Sequence, residues 1–363
     1  MNWSLFERIL SIPSVSGTER EFAEFLEAEI PALASGMNGA IRCRARRFEV
    51  GDGTLNLLFS WGCGENEMPE VCLCTHLDTV PPFLPPKFTR IKAGDTLPDG
   101  TSAEKDDLLV TGRGSNDAKG QIFSMLSACL GLQEEGFKGS YGLLLLAGEE
   151  TGSFGARAFT GTGLQGSWVI VGEPTGNRMV SASKGTTSFC VTIRGKACHS
   201  GYPELGKSAV IGFNDFVNSL RNKDFPKDPV LGETTWNIGC LASDNPQNIL
   251  SPELSFRLYF RTTFTTDGMV ASLPEEWKTE FPGIEVEAFG GDTPMEYDVL
   301  PGYETVPVSF GSDTPRLTGF RHRAMCGPGS IFVAHTAREF VLGSHLELAR
   351  DQYRNMIKYI IDR

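Results

Sequence analysis

Several things are scarce in this 363-residue chain, and each scarcity removes a class of protein from consideration. No apolar run approaches the ~20 residues needed to cross a bilayer, so no helical membrane span is expected. Positive charge is short: 33 Lys and Arg against 45 Asp and Glu leave a net charge of -12. That balance argues against nucleic acid or an anionic membrane surface as a partner. The start, MNWSLFERILSIPS, lacks the basic head, long apolar centre and small-residue cleavage site of a secretory signal. The nine cysteines are odd in number and include no CxxC pair. Cys72, Cys74 and Cys190 lie in apolar stretches, where a reduced cysteine acts as a small hydrophobe. The expectation is a soluble, reduced, cytoplasmic protein. What is present is ordinary for a globular chain: 40% hydrophobic and 21% charged residues, in a length that favours two domains over one.

Periodicity organises the chain. SVSGTEREFAEFLEAEI carries a helical stripe of Phe22, Phe25, Leu26 and Ile30, and Ser16 three residues before Glu19 suggests a capping box. EVCLCTH, YGLLLLAGEE and SWVIVGE are continuous apolar runs, the pattern of strands buried on both faces. KGQIFSMLSACLGLQEEG reads as a helix ending near Gly136. Strands alternating with helices imply a mostly parallel sheet covered on both sides, an α/β catalytic domain. The middle of the chain has a different order. TTSFCVTIRG, GKSAVIGFNDFVNSLRN, TTWNIGCLAS, ELSFRLYFRTTF, DGMVASLPEEWKTEF and IEVEAFG read strand, helix, strand, strand, helix, strand. That is the split βαβ pattern of a ferredoxin-like α+β domain, with the second helix interrupted at Pro274. A domain over 180–291 is therefore expected to be inserted in a larger one made of 1–179 and 292–363. PPFLPPKFTRIKAGDTLPDG reads as an irregular loop over one sheet edge.

Ligands of open α/β sheets bind beyond the carboxyl ends of the strands. Three expected strands end there in an imidazole or a carboxylate: His76, then Glu149 with Glu150, then Glu173. One such residue alone would be a solvated strand end. Three neighbouring strand ends make a cluster of like charges that calls for a cation. Asp117, in TGRGSNDAKG, sits where the following helix starts; in isolation it reads equally well as a helix N-cap. The same stretch fails as a phosphate loop, because Lys119 precedes the glycine and no Ser or Thr follows the lysine. It fails as a dinucleotide fingerprint on spacing. Asp78 lies two residues beyond His76, on the same side of an extended backbone, which suits a carboxylate that orients the imidazole. His335, after CGPGSIFVA, would supply a second neutral nitrogen.

In order, HLDTVPP, GRGSNDAKG, AGEETGSFGA, VGEPT, GKACHSG and GPGSIFVAH resemble the motifs of the dizinc amidohydrolase family. That family includes acetylornithine deacetylase, succinyl-diaminopimelate desuccinylase, aminoacylase and carboxypeptidase G. The resemblance covers nearly the whole chain. It implies two metal ions about an activated water, with His76 and Glu173 on one, Glu150 and His335 on the other, and Asp117 bridging them. Two histidine nitrogens and three carboxylates suit Zn²⁺ and would accept Mn²⁺ or Co²⁺. Glu149 is implied as the general base, taking a proton from the water and delivering it to the leaving nitrogen. In the inserted domain, His199 matches a lid histidine that reaches the partner subunit's site to stabilise the oxyanion. Asn248 and Arg261 match binders of the substrate carboxylate, with Arg257 close by as a rival. The resemblance thus implies a homodimer formed through the inserted lid domain. The substrate would be a small peptide or an N-acyl amino acid. FGSDTPRL stands where relatives carry a Gly-Thr-Ser-Asp-type loop and is a candidate for substrate contact. The proline-rich loop after HLDTVPP lacks the tryptophan of many relatives, and GPGSIFVAH is closest to the deacetylase branch. An exopeptidase, an N-acyl-amino-acid deacylase of the acetylornithine deacetylase kind and a non-catalytic binding relative are the alternatives. All five implied ligands and Glu149 are present, which disfavours the last.

Overall fold

A computed structural model describes residues 1–36, 42–51 and 53–363. The chain opens with α1 (Trp3–Ser11), α2 (Arg20–Ser35), β1 (Arg44–Gly51), β2 (Thr54–Trp61) and β3 (Val71–His76). Then come β4 (Lys87–Ile91), β5 (Asp107–Thr111), α3 (Lys119–Glu134) and β6 (Tyr141–Leu146). The opening part closes with α4 (Phe154–Gly161), β7 (Gly166–Val171) and β8 (Met179–Ser183). The middle part holds β9 (Gly185–Arg194), α5 (Ala209–Asn222), β10 (Thr235–Ala242) and β11 (Glu253–Thr262). It continues with α6 (Asp267–Glu280), β12 (Ile284–Asp292) and the short β13 (Met295–Glu296). The last part is β14 (Thr305–Val308), β15 (Phe320–Met325), β16 (Phe340–Leu342) and α7 (Gly343–Ile361). Contacts divide the chain into two compact units. The first comprises Met1–Ser181, Tyr297–Val306 and Ser312–Arg363; the second comprises Ala182–Glu296 and Pro307–Gly311.

The first unit is built on a six-stranded sheet in the order β1-β2-β6-β3-β7-β15. Strands β6, β3, β7 and β15 run parallel, while β1 and β2 form an antiparallel edge. The sheet is mostly parallel, as the continuous apolar runs imply. Leu143, Leu144, Leu145 and Leu146 are all fully buried on β6. Their burial stabilises the unit by on the order of 1.5–3 kcal/mol each. Helix α2 covers the sheet with Phe22, Leu26, Ile30 and Ala34, one residue per turn along a single face. Helix α3 is buried nearly all round and packs against α7. It ends as the sequence predicts, and Gly136 just beyond it takes a φ of +69°.

Three local expectations are corrected. The proline-rich stretch is not wholly irregular: Lys87–Ile91 forms β4 and pairs with β5 in a second sheet, β16-β5-β4. KFTRI holds three strand-favouring residues, Phe88, Thr89 and Ile91, hidden in sequence by the flanking prolines. Ser16 does not cap α2. The helix begins at Arg20 with no side-chain cap, and the Ser16 hydroxyl instead donates to Asp78 Oδ2 at 2.7 Å. Helix α6 runs through Pro274 without a break, its apolar face of Val270, Leu273 and Trp277 held in the core of the second unit.

The second unit has a four-stranded antiparallel sheet in the order β10-β11-β9-β12. With α5 and α6 this is the ferredoxin-like arrangement. Side chains alternate along β11: Leu254, Phe256, Leu258 and Phe260 point into the core with Phe189, Phe216 and Trp277.

Candidate metal centre

Register brings the candidate residues of the first unit together. β3 lies between β6 and β7 in the sheet, so three carboxyl ends are adjacent. His76 pairs with Leu146, which places the turn carrying Glu149 and Glu150 directly beyond it. Cys74 pairs with Val171, so Glu173 follows level with His76. Asp117 reaches the same place from just before α3.

The central contact is made by Asp117, whose two oxygens face different histidines. Oδ1 lies 3.1 Å from His76 Nε2, and Oδ2 lies 3.3 Å from His335 Nε2. His335 Nε2 is also 2.9 Å from Glu150 Oε1. Ligand atoms of His76, Asp117 and Glu173 fall within 4.8 Å of one another, as do those of Asp117, Glu150 and His335. Two candidate sites therefore share one carboxylate. Glu149 groups with His76 and Glu150 on the same distance criterion. His335 holds a φ of +61°, a left-handed conformation that is unfavourable for a residue with a Cβ and that the surrounding turn must support.

The chain also orients these groups. His76 Nδ1–H donates to the main-chain oxygen of Asp78 at 2.9 Å, which leaves Nε2 to face the cluster. The Asp78 carboxylate is fully buried and accepts from the amides of Glu149 at 3.0 Å and Glu150 at 3.2 Å, besides Ser16. Its Oδ1 lies 3.4 Å from His76 Nδ1. One carboxylate thus fixes the whole Glu149–Glu150 turn. Gly148 permits that turn: its φ is +65°, and a Cβ there would meet the Phe154 ring at 1.8 Å.

Proton affinities show what such a cluster demands. Burial pushes Glu149 and Glu173 well above the usual carboxylate range, and neighbouring carboxylates add to the rise. Burial works to lower His76, yet hydrogen bonds to Asp117 and Asp78 outweigh it and raise the imidazole well above its ordinary value. Hydrogen bonds to Asp117 and Glu150 raise His335 to about 10. Burial would raise Asp117, but the two imidazoles win and hold it below its ordinary value. The carboxylates draw positive charge into a buried space, and with two imidazoles they form an O/N donor set. That chemistry fits two divalent cations.

His199, Asn248 and Arg261 lie in the second unit. His199 and Ile249 form a bridge, and Ser200 N donates to the carbonyl of Asn248 at 2.9 Å, so His199 and Asn248 sit side by side. Arg261 is on β11, paired with Thr186 and Thr235, with its guanidinium 5.0 Å from the centre of the Tyr259 ring. Arg257, on the same strand, stacks over Phe289 at 3.4 Å.

The residues that sequence reasoning missed are the supports. Arg113 and Glu339 form a buried pair at 2.5 Å next to Asp117. Burial and the nearby Asp117 push Glu339 up to about 7, with the Asn116 and Asp117 amides and Arg113 pulling against them. Asp313, buried in FGSDTPRL, is likewise pushed up to about 7, by burial first. Arg113 and Glu339 are separated by 226 positions, and no local pattern signals the pairing.

A profile for the peptidase dimerisation domain matches residues 181–280. A "probable carboxypeptidase" of Aspergillus clavatus is 30% identical over 99% of this chain and 89% of its own length. A "peptidase M20 domain-containing protein" of Schizosaccharomyces pombe is 30% identical over 98% and 84%. Among solved structures, a tripeptidase from Staphylococcus aureus has a TM-score of 0.77 at 18% identity, covering 99% of this chain and 98% of that one. An M20 family metallo-carboxypeptidase from Sulfolobus solfataricus has a TM-score of 0.69 at 16% identity, covering 99% and 98%. At those identities the two structures speak to the fold.

Proposed function

The chain belongs to the M20 family of metallopeptidases, and from that premise we propose that it is a dizinc exopeptidase of the carboxypeptidase kind. It is a hydrolase of peptide bonds that depends on divalent metal. The observation that carries the finer reading is Asp117, with one oxygen toward His76 and the other toward His335. In this reading His76 and Glu173 hold one ion, Glu150 and His335 the other, and Asp117 bridges them. When bound, the pair of cations would acidify a water and polarise the scissile carbonyl.

Glu149 does the proton work. Burial raises its proton affinity well above that of an ordinary carboxylate, the direction that a general base for water requires. It takes a proton from the water and then gives that proton to the leaving nitrogen, which would otherwise depart as a very poor leaving group. Asp78 keeps Glu149 and Glu150 in place through their amides. In the second unit, His199 would stabilise the oxyanion in a partner subunit's site, while Asn248 and Arg261 would bind the substrate's free carboxylate. This assigns the inserted segment 180–291, which covers most of the second unit, as a lid and dimerisation domain. Its edge strand β10 exposes Leu241, and α5 exposes Val210 and Ile211, apolar groups suited to a second copy of the chain. All nine cysteines are free, which favours a reducing, cytoplasmic setting.

The deciding experiment offers the zinc-loaded protein a mixed pool of dipeptides, tripeptides and acetylated or succinylated amino acids, read by mass spectrometry. Release of carboxyl-terminal residues from the peptides, abolished in a chelated control, is the expected result. Consumption of acylated amino acids alone would overturn the exopeptidase reading in favour of a deacylase. No turnover of either class with two metal ions bound would remove both.

A further inference from the structure

Arg113 and Glu339 are buried at 2% and 0% side-chain exposure, and neither is among the metal-ligand groups of the cluster. Removing an ion pair from water costs several kcal/mol per ion in general, and an apolar pair of the same volume is often as stable. Stability alone is therefore a poor reason for this pair to exist. Its contacts offer a better one.

Glu339 Oε1 accepts from the amide of Asn116 at 3.1 Å and from the amide of Asp117 at 3.0 Å. Its Oε2 takes Arg113 Nη1 at 2.5 Å. The same Nη1 reaches the carbonyl of Thr336, the residue after His335, at 3.3 Å. Arg113 Nε reaches the carbonyl of Pro82, in the loop that follows His76, at 3.3 Å. One buried pair therefore ties together the three loops that carry His76, Asp117 and His335. The hydrogen bonds that reach the two oxygens of Glu339 all come from donors, so the carboxylate has a defined orientation. The turn it helps to fix includes His335 in its left-handed conformation, which does not persist without support.

We propose that Glu339, with Arg113 as its counter-ion, is a positioning residue of the metal centre. It anchors the peptide of Asp117 directly and the turn after His335 through Arg113. Asp117 thereby keeps one oxygen toward each histidine. Glu339 holds no ion and touches no substrate in this scheme, and the inference rests on the dimetal reading above.

The test compares wild type with Glu339→Gln and Arg113→Lys. Each is prepared as apoprotein, checked for folding by circular dichroism, and titrated with Zn²⁺ against a competing chelator. Glutamine keeps the size of the side chain but presents an amide group to a donor. Lysine keeps the charge but loses the fork that spans Glu339, Thr336 and Pro82. The expected result for Glu339→Gln is a loss of Zn²⁺ affinity of about 10–100-fold, the range usual when a group behind a metal ligand is removed. The kcat should fall with it while KM stays within about two-fold, and excess Zn²⁺ should restore part of the rate. Arg113→Lys should show a smaller loss of the same kind. A residue that serves stability alone would lower the melting temperature and leave Zn²⁺ affinity untouched. Folded Glu339→Gln with wild-type affinity and kcat overturns the inference. If that variant does not fold, unchanged affinity in folded Arg113→Lys overturns it instead. Failure of the wild type itself to take up Zn²⁺ would overturn the dimetal reading, and this inference with it.

Discussion

Replacing Asp78 with asparagine probes the candidate site at a carboxylate where three hydrogen bonds converge. The carboxylate is fully buried and takes three donors: Ser16 Oγ at 2.7 Å, Glu149 N at 3.0 Å and Glu150 N at 3.2 Å. The two amides approach different oxygens. Asparagine keeps one oxygen and turns the other into a donor, so whichever way it faces, one amide of the turn meets an N–H₂ group. A buried donor left without an acceptor costs about 1–3 kcal/mol, and each surviving bond loses the extra strength lent by a charge. The expected destabilisation is therefore about 2–4 kcal/mol. For a unit of this size that lowers Tm by roughly 5–10 °C. Calorimetry on the apoprotein reads this without a contribution from metal binding. Because the freed turn carries both Glu149 and Glu150, kcat and metal affinity should fall together by about 10–100-fold. Ser16→Ala is the control: it removes one hydrogen bond worth about 0.5–1.5 kcal/mol and leaves both amides satisfied, so kcat should hardly move. Asp78→Asn with an unchanged Tm and an unchanged kcat would refute the assignment of this carboxylate as the anchor of the turn.

Further outcomes are expected. Glu149→Gln should lower kcat by about 10²–10⁴ while the protein still carries two metal ions per chain by elemental analysis; full turnover would end its role as base. His335 in the metal-free protein is raised to about 10, so at pH 7 it carries a proton that metal must displace. Metal affinity should therefore rise with pH from neutrality toward that value. Titration calorimetry in buffers of different ionisation heat should detect proton release, and heats independent of the buffer would contradict it. Ile211, exposed at 62% on α5, is a candidate for the interface between copies. Ile211→Glu should shift the protein from dimer to monomer in light scattering, and an unshifted mass would remove α5 from the interface. His199→Ala should lower kcat by about 10²–10³, as loss of an oxyanion donor does elsewhere; a normal kcat would leave His199 without a catalytic part.

Much was legible in the sequence because it is written locally. The continuous runs VCLCT, LLLL and WVIV identify buried parallel strands, since only a strand covered on both faces can be apolar at every position. The polar residues that break those runs, His76, Glu149, Glu150 and Glu173, mark the sheet's carboxyl edge. The order of strands and helices from Gly185 to Asp292 identified the ferredoxin-like unit for the same reason. Where local pattern and tertiary demand disagreed, the pattern misled. Ser16 has the spacing of a helix cap, but α2 begins only at Arg20 and the Ser16 hydroxyl donates to the buried carboxylate of Asp78. KFTRI lacks a strand's strict alternation, yet it pairs along its whole length with β5.

What the tertiary structure alone decided is which distant groups meet. No periodicity indicates that β3 lies between β6 and β7, although that order is what gathers the carboxylates. Nothing near Asp117 indicates that its amide is held by Glu339, 222 positions away. Side-chain pattern is set by neighbours along the chain, within a turn of helix or a pleat of strand. Pairings across hundreds of residues are set by how whole elements pack, and burial then forces every polar group they trap to find a partner. The sequence therefore determined the kinds of elements and the chemistry at their ends, and folding determined which supports stand behind that chemistry.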